Sequence, residues 1–224
     1  MRKIALIILS VFIFSCEDEP VEFTPVHDYS TALDTLKKIS DYILGDFNGK
    51  FLVSTTTHVK SYSASTGSMP LDSSHIQFQL AYKLLDDNVE KSVFVTYRLL
   101  ESKNRLDAGN DYKYNYFADF IDFFDREKFK YYQLDQPIDD THNVTLSYQN
   151  YYDINNDVNG FDTYQYDKQI TPDNFDFAID SIKAIESPVK KVAVYYSFKC
   201  IGVNYHGDEF KMQSGKGKST FIYQ

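Results

Sequence analysis

A chain of 224 residues with a net charge of −9, 19 Tyr, 18 Phe and no Trp has material for one sizeable domain or two small ones. Its acidity excludes the basic surface that phosphate contacts need, so no nucleic-acid partner is expected. Only two cysteines are present, Cys16 and Cys200, which excludes a disulfide framework.

The first element is a leader. Arg2 and Lys3 precede the apolar run Ile4 to Phe14, and Ser15 stands before Cys16. A basic start, a short apolar stretch and a small residue at the cut describe a secretory signal over 1–15. The run is too short to span a membrane, which takes roughly 20 residues. Residues 16–28, with Glu17, Asp18, Glu19, Pro20 and Pro25, read as an extended acidic tether. The remainder, 29–224, reads as a single domain.

A helix is predicted over 29–44, because Ala32, Leu36, Ile39 and Ile43 fall on one face at helical spacing. Asp28 or Ser30 can cap it, and Gly45 can end it. Asp46-Phe47-Asn48-Gly49 follows as a turn. Period-two runs then predict strands at Lys50 to Val59, His75 to Tyr82 and Ser92 to Leu100, with a Ser-rich loop from Ser61 to Ser73. Further on, Tyr112, Tyr114 and Tyr116 alternate as in a strand. Phe117, Phe120, Ile121 and Phe124 take helical spacing, and Phe129 to Leu134 returns to extended form. Pro137 to His142 reads as a loop. Strands are expected at Asn143 to Tyr152 and Phe161 to Tyr166. The stretch Thr171 to Glu186 mixes two periods. A final hairpin joins Lys190 to Asn204 and Glu209 to Gln213 through His206-Gly207-Asp208, and Ser219 to Tyr223 closes the chain. The count of strands makes the domain mainly β.

Candidate chemistry is sparse. Asn155, Asp157 and Asn159, followed by Gly160, match the alternate oxygen spacing and sixth-position glycine of a calcium loop. Tyr166 stands where that loop wants a bidentate glutamate, and a solvated polar turn is the plainer reading. Calcium is the one cofactor for which the sequence offers ligands. Ten aromatics crowd 112–132; they read as a core plug or, alternatively, as an exposed ligand patch carried by Tyr112, Tyr114, Tyr116, Tyr131 and Tyr132. Cys200 lies in a strand pattern and reads as a buried thiol. The histidines (27, 58, 75, 142 and 206) share no ligand motif. The acid series Asp119, Asp122 and Asp125 reads as solvent-facing rather than as a glycosidase pair. No catalytic residue is expected, and the chain is read as a non-enzyme.

The run Ile13-Phe14-Ser15-Cys16 resembles a bacterial lipobox, and Glu17-Asp18-Glu19 resembles the surface-export tag of Bacteroidota lipoproteins. With Asn48-Gly49-Lys50-Phe51, Phe198-Lys199-Cys200, Gly207-Asp208-Glu209 and Ser214-Gly215, the chain resembles the small Bacteroidota lipoproteins of unknown function. Asp34-Thr35-Leu36 and Asp180-Ser181-Ile182 also resemble the O-glycosylation acceptors of that group. The resemblance implies lipid on Cys16 and an outer-membrane address on the surface or periplasmic face. It implies an immunoglobulin-like β-sandwich with the N-terminal helix beside it. Gly45-Asp46-Phe47 resembles the opening of lipocalins, which makes a calycin-like barrel the alternative. The function expected is a non-catalytic envelope or cell-surface module that binds protein or glycan. The alternatives are a structural or assembly component of an envelope complex and, behind it, a hydrolase.

Overall fold

The computed structural model describes residues 41–55, 57–65, 73–86, 89–125, 129–131, 143–150, 160–163, 171 and 173–223. The chain is mainly β and antiparallel, as its alternating runs predict. The strands are β1 (Tyr42–Phe47), β2 (Lys50–Ser54), β3 (Thr57–Ser65), β4 (Ser73–Asp86), β5 (Val89–Ser102), β6 (Leu106–Asp107), β7 (Asn110–Tyr114), β8 (Lys130–Tyr131), β9 (Asn143–Asn150), β10 (Gly160–Asp162), β11 (Asp176–Ile185), β12 (Lys191–Val203) and β13 (Glu209–Ile222). Among the described residues one α-helix, α1 (Phe117–Asp125), accompanies them.

Eleven of these strands form a single sheet, ordered β2-β1-β13-β12-β10-β9-β5-β4-β3, with β11 beside β12 and β8 beside β9. The sheet curls strongly into a half-barrel, so its inner face wraps a core as a sandwich or barrel does. Its two path ends, β2 and β3, are consecutive in sequence. Asp41 ties that seam: its carboxylate accepts from Thr220 N at 2.6 Å and from Lys60 Nζ at 2.6 Å.

The predicted helix at 29–44 is corrected where it is described. Tyr42, Ile43 and Leu44 belong to β1, paired with Lys218, Gly217 and Lys216 on one side and, from Ile43 on, with Ser54 and Val53 on the other. Ladder bonds on both sides outweigh the one helical match that Ile43 supplies; residues 29–40 lie outside the described set. Gly45 is therefore a strand glycine rather than a helix stop. A Cβ there would lie 3.0 Å from Gly215 Cα. The Asn48-Gly49 turn stands as read, with φ of 56° and 83°, the left-handed pair a tight hairpin requires.

Other boundaries move for physical reasons. The predicted strand over 50–59 breaks into β2 and β3. The Ser-rich loop starts later than expected: β3 runs to Ser65 because Ser61, Ser63 and Ser65 pair with Gln79, Gln77 and His75. The mixed period of 171–186 comes from a bulge. Ile179 pairs with Tyr196 and Ser181 with Tyr195, leaving Asp180 over. The extra residue puts Phe177, Ile179 and Ile182 on one face, so a strand acquires the three-residue spacing of a helix. In the same way β13 runs unbroken past a bulge at Ser214, whose φ is 51°.

The core is aromatic. Phe78, fully buried, meets Phe120, Phe123 and Phe124 of α1 at 5.5, 4.8 and 5.6 Å between ring centroids. Phe124 stacks on Phe221 at 4.7 Å, and Tyr97 meets Phe129 edge-on at 5.3 Å. The helix thus closes the open side of the curl with its phenylalanine stripe. Gly215 and Gly217 lie flat beneath the rings of Phe198 and Tyr196, their cross-strand partners. Only residues without side chains leave room there.

Candidate functional site

The 112–132 cluster divides between core and surface. Tyr114 and Tyr131 are buried, as are Phe117, Phe120, Phe123, Phe124 and Phe129; this corrects the reading of Tyr114 and Tyr131 as patch residues. They point inward because β7 and β8 alternate toward the core. Tyr116 is 71% exposed. The side chains of Tyr112 and Tyr132 lie outside the described residues.

Tyr116 sits at the rim of a small aromatic shelf, at the end of the half-barrel where β7 gives way to α1. Tyr223, just past β13, holds this corner together. Its backbone N–H donates to Lys190 O at 2.9 Å. Its hydroxyl lies 3.0 Å from the carbonyl oxygens of both Tyr114 and Asn115, a shared bond that fixes the turn bearing Tyr116. Lys190 Nζ stands 5.5 Å over the Phe117 ring and 5.9 Å over Tyr223, within cation–π reach of both. Val189 and Ile222, at 49% and 44% exposure, add apolar surface. A narrow cleft beside them is lined by Tyr62, Phe78, Lys113, Tyr114, Phe120, Ile222 and Tyr223.

Under the shelf lies an ion cluster. Arg105 reaches Asp122 at 2.6 Å, Asp119 at 2.9 Å and Glu101 at 3.4 Å. Tyr114 donates to Glu101 at 3.2 Å. Burial raises the Glu101 pKa above the usual carboxylate range, against the pull of the Ser102 N–H and Arg105. Burial and the Glu101 carboxylate together push the Tyr114 phenol far above its ordinary value. Two members of the acid series are thus held by one guanidinium and pin α1 to β5, while Asp125 is exposed. The spacing of Glu101 and Arg105, four apart, was a signal the sequence held.

A second polar cluster sits inside the core. Tyr82 donates to Lys218 O at 2.9 Å and lies 2.8 Å from Ser219 Oγ; Tyr196 donates to Tyr82 at 3.2 Å. Burial drives the phenols of Tyr82, Tyr97 and Tyr196 upward. Nothing in the sequence separates these tyrosines from the rest. Cys200 is fully buried, and burial pushes its thiol up to about 12, which leaves it un-ionised at neutral pH.

The remaining candidates are quickly placed. Cys16 and the calcium-loop residues Asn155, Asp157 and Asn159 lie outside the described residues. His206 is exposed in the β12–β13 turn with its ring 3.9 Å from Tyr205. His75, half-buried on β4, has its pKa lowered by burial and by Arg98. Among the described residues no group of three His, Cys, Asp or Glu side chains is placed to hold a metal ion. Compared with protein families, curated proteins and solved structures, the chain matches none.

Proposed function

We propose that the protein is a lipid-anchored, non-catalytic binding module of the cell envelope, tethered to the outer membrane through Cys16, whose ligand stacks on the Tyr116–Tyr223 shelf. The observation that carries this reading is the exposure of Tyr116 on a rigidly held corner. Burying an aromatic ring is worth about 2 kcal/mol, and a tyrosine left 71% exposed keeps most of that free energy for a partner. The hydroxyl suits a ligand with polar and apolar faces. A glycan fits better than a protein, because the shelf comprises a handful of side chains whereas a stable protein interface uses about 20–30 a side. Lys113 and Lys190 supply hydrogen-bond donors at its edge.

The test is affinity electrophoresis through gels holding dextran, mannan, xylan or mixed-linkage β-glucan. Retardation by at least one polysaccharide, lost in Tyr116→Ala, is expected. Free migration through every gel would remove the glycan reading. For the anchor, metabolic labelling with a palmitate analogue should mark the wild type and spare Cys16→Ala; labelling of both would remove it.

A further inference from the structure

The edge of a sheet presents unpaired backbone N–H and C=O groups, a template on which another strand can add. At the path ends of this sheet, β2 and β3, the seam is tied through Asp41, Lys60 and Thr220. The strand β11 is different. It pairs with β12 along one flank, from Asp176 to Ile185. On its other flank no strand lies beside it among the described residues. Apart from the β12 ladder, the described residues bond to its backbone once, where Tyr131 donates to Asp176 O at 3.3 Å. Asp180, Ser181, Lys183 and Ala184 along this edge are exposed.

The edge complements itself. The bulge leaves Asp180 over, and a bond from Ser197 Oγ at 2.9 Å places its carboxylate on the outer face, with Ser181 and Lys183. Ile179 and Ile182 pack against the core. Lys183 has no ionic partner among the described residues. Let a second copy of β11 run antiparallel beside the first, with Ile182 on the two-fold axis. Asp180 and Ser181 then lie across from the copy's Lys183, Ile179 across from its Ala184, and Ala178 across from its Ile185. Every pair shares one face, because each strand carries the same one-residue bulge. Two Asp180–Lys183 ion pairs form, one on each side of the axis. A bulge and an edge lysine ordinarily deter strand pairing; here the bulged acid of one copy meets the lysine of the other.

We propose that β11 is a dimerisation edge, on which a second copy of this chain adds its own β11 and joins two half-barrels through one continuous sheet. A single strand pair buries less than the roughly 1,600 Å² of a standard interface, so the dimer is a weak one that assembles at micromolar concentrations and above.

The experiment is sedimentation velocity on the full chain with Cys16→Ser, from about 5 to about 500 µM, the range in which so small an interface assembles. Dimer should accumulate with concentration. Lys183→Asp and Asp180→Lys each turn two attractive pairs into repulsive ones and should raise the dissociation constant by about tenfold or more. Mixed in equal amounts, the two variants should form a heterodimer as readily as the parent dimerises, because Asp meets Lys again in both pairs. Should Asp180→Lys fail to fold, Lys183→Asp is compared with Lys103→Asp, which makes the same charge change away from β11 and should leave the dimer intact. A monomer at every concentration overturns the proposal and leaves the edge to a strand from another protein. A dimer that both variants form as tightly as the parent also overturns it, and so do weakened variants that do not recover on mixing.

Discussion

Replacing Gly217 by alanine tests the packing beneath the aromatic core. A Cβ at 217 would lie 2.2 Å from Tyr196 Cζ, 2.3 Å from its hydroxyl oxygen and 2.7 Å from Cε2. The ring must move by more than an ångström, and it is boxed in by Phe177 at 5.6 Å, Tyr97 at 6.1 Å and Phe198 at 6.2 Å. Overpacking of this kind costs about 1–3 kcal/mol. Losing the Tyr196–Tyr82 hydrogen bond adds about 1 kcal/mol. Alanine returns about 0.4–1 kcal/mol by restricting the unfolded chain. The net expectation is a loss of about 2–3 kcal/mol, read as a lower urea midpoint at unchanged slope. In a Tyr196→Leu background the ring is gone, and the same change should cost less than about 1 kcal/mol. A neutral Gly217→Ala, or an equal cost in both backgrounds, would refute the reasoning.

Other consequences concern the core, its charges and its phenols. Phe123→Ala should cost about 3–5 kcal/mol, whereas Tyr116→Ala should change stability by no more than about 0.5 kcal/mol; equal urea midpoints for the two would contradict the division between core and shelf. Arg105→Ala leaves buried Glu101 without its guanidinium and should cost about 3 kcal/mol at neutral pH. Because the folded pKa of Glu101 is already raised and rises further without Arg105, the cost should shrink as pH falls through those raised folded values, above the ordinary carboxylate range, where Glu101 protonates in the folded protein; a cost independent of pH would contradict this. The phenols of Tyr82, Tyr97, Tyr131 and Tyr196 are raised above their unfolded value of 10.0. In alkali the unfolded state loses protons that the folded state keeps. The stability they contribute is whole below about pH 9 and falls as pH climbs past 10. Absorbance at 295 nm should show exposed tyrosines titrating first and these four only with unfolding; smooth titration of all tyrosines in a still-folded protein would contradict it.

Much of the fold was legible where one local rule ruled alone. The alternation of Ile76, Phe78 and Leu80, the Asn48-Gly49 turn and the helical spacing of the 117–124 phenylalanines each had one reading, and each stands. Errors arose where tertiary structure shifted a local period. The bulge at Asp180 gives β11 a helical spacing, and pairing with β13, joined by β2 from Ile43 on, draws Tyr42 to Leu44 out of a helical pattern. Serines in β3 look like loop residues until Gln77 and Gln79 are placed across from them. The site was half legible. Tyr116 stands in the aromatic run of 112–132, but burial separates it from Tyr114 and Tyr131, and burial is a property of the folded neighbourhood. Tyr223 and Lys190 lie far from Tyr116 in the chain and reach it only through the β12–β13 hairpin.

The most direct measurement of the shelf's role is calorimetric titration of a retained polysaccharide into three proteins: wild type, Tyr116→Ala and Tyr205→Ala. Tyr205 is 55% exposed in the β12–β13 turn, at the opposite end of those strands from the shelf. The account predicts that Tyr205→Ala binds as wild type does and that Tyr116→Ala loses binding at an unchanged melting temperature. Equal binding by all three proteins, or binding lost only with Tyr205, would contradict it.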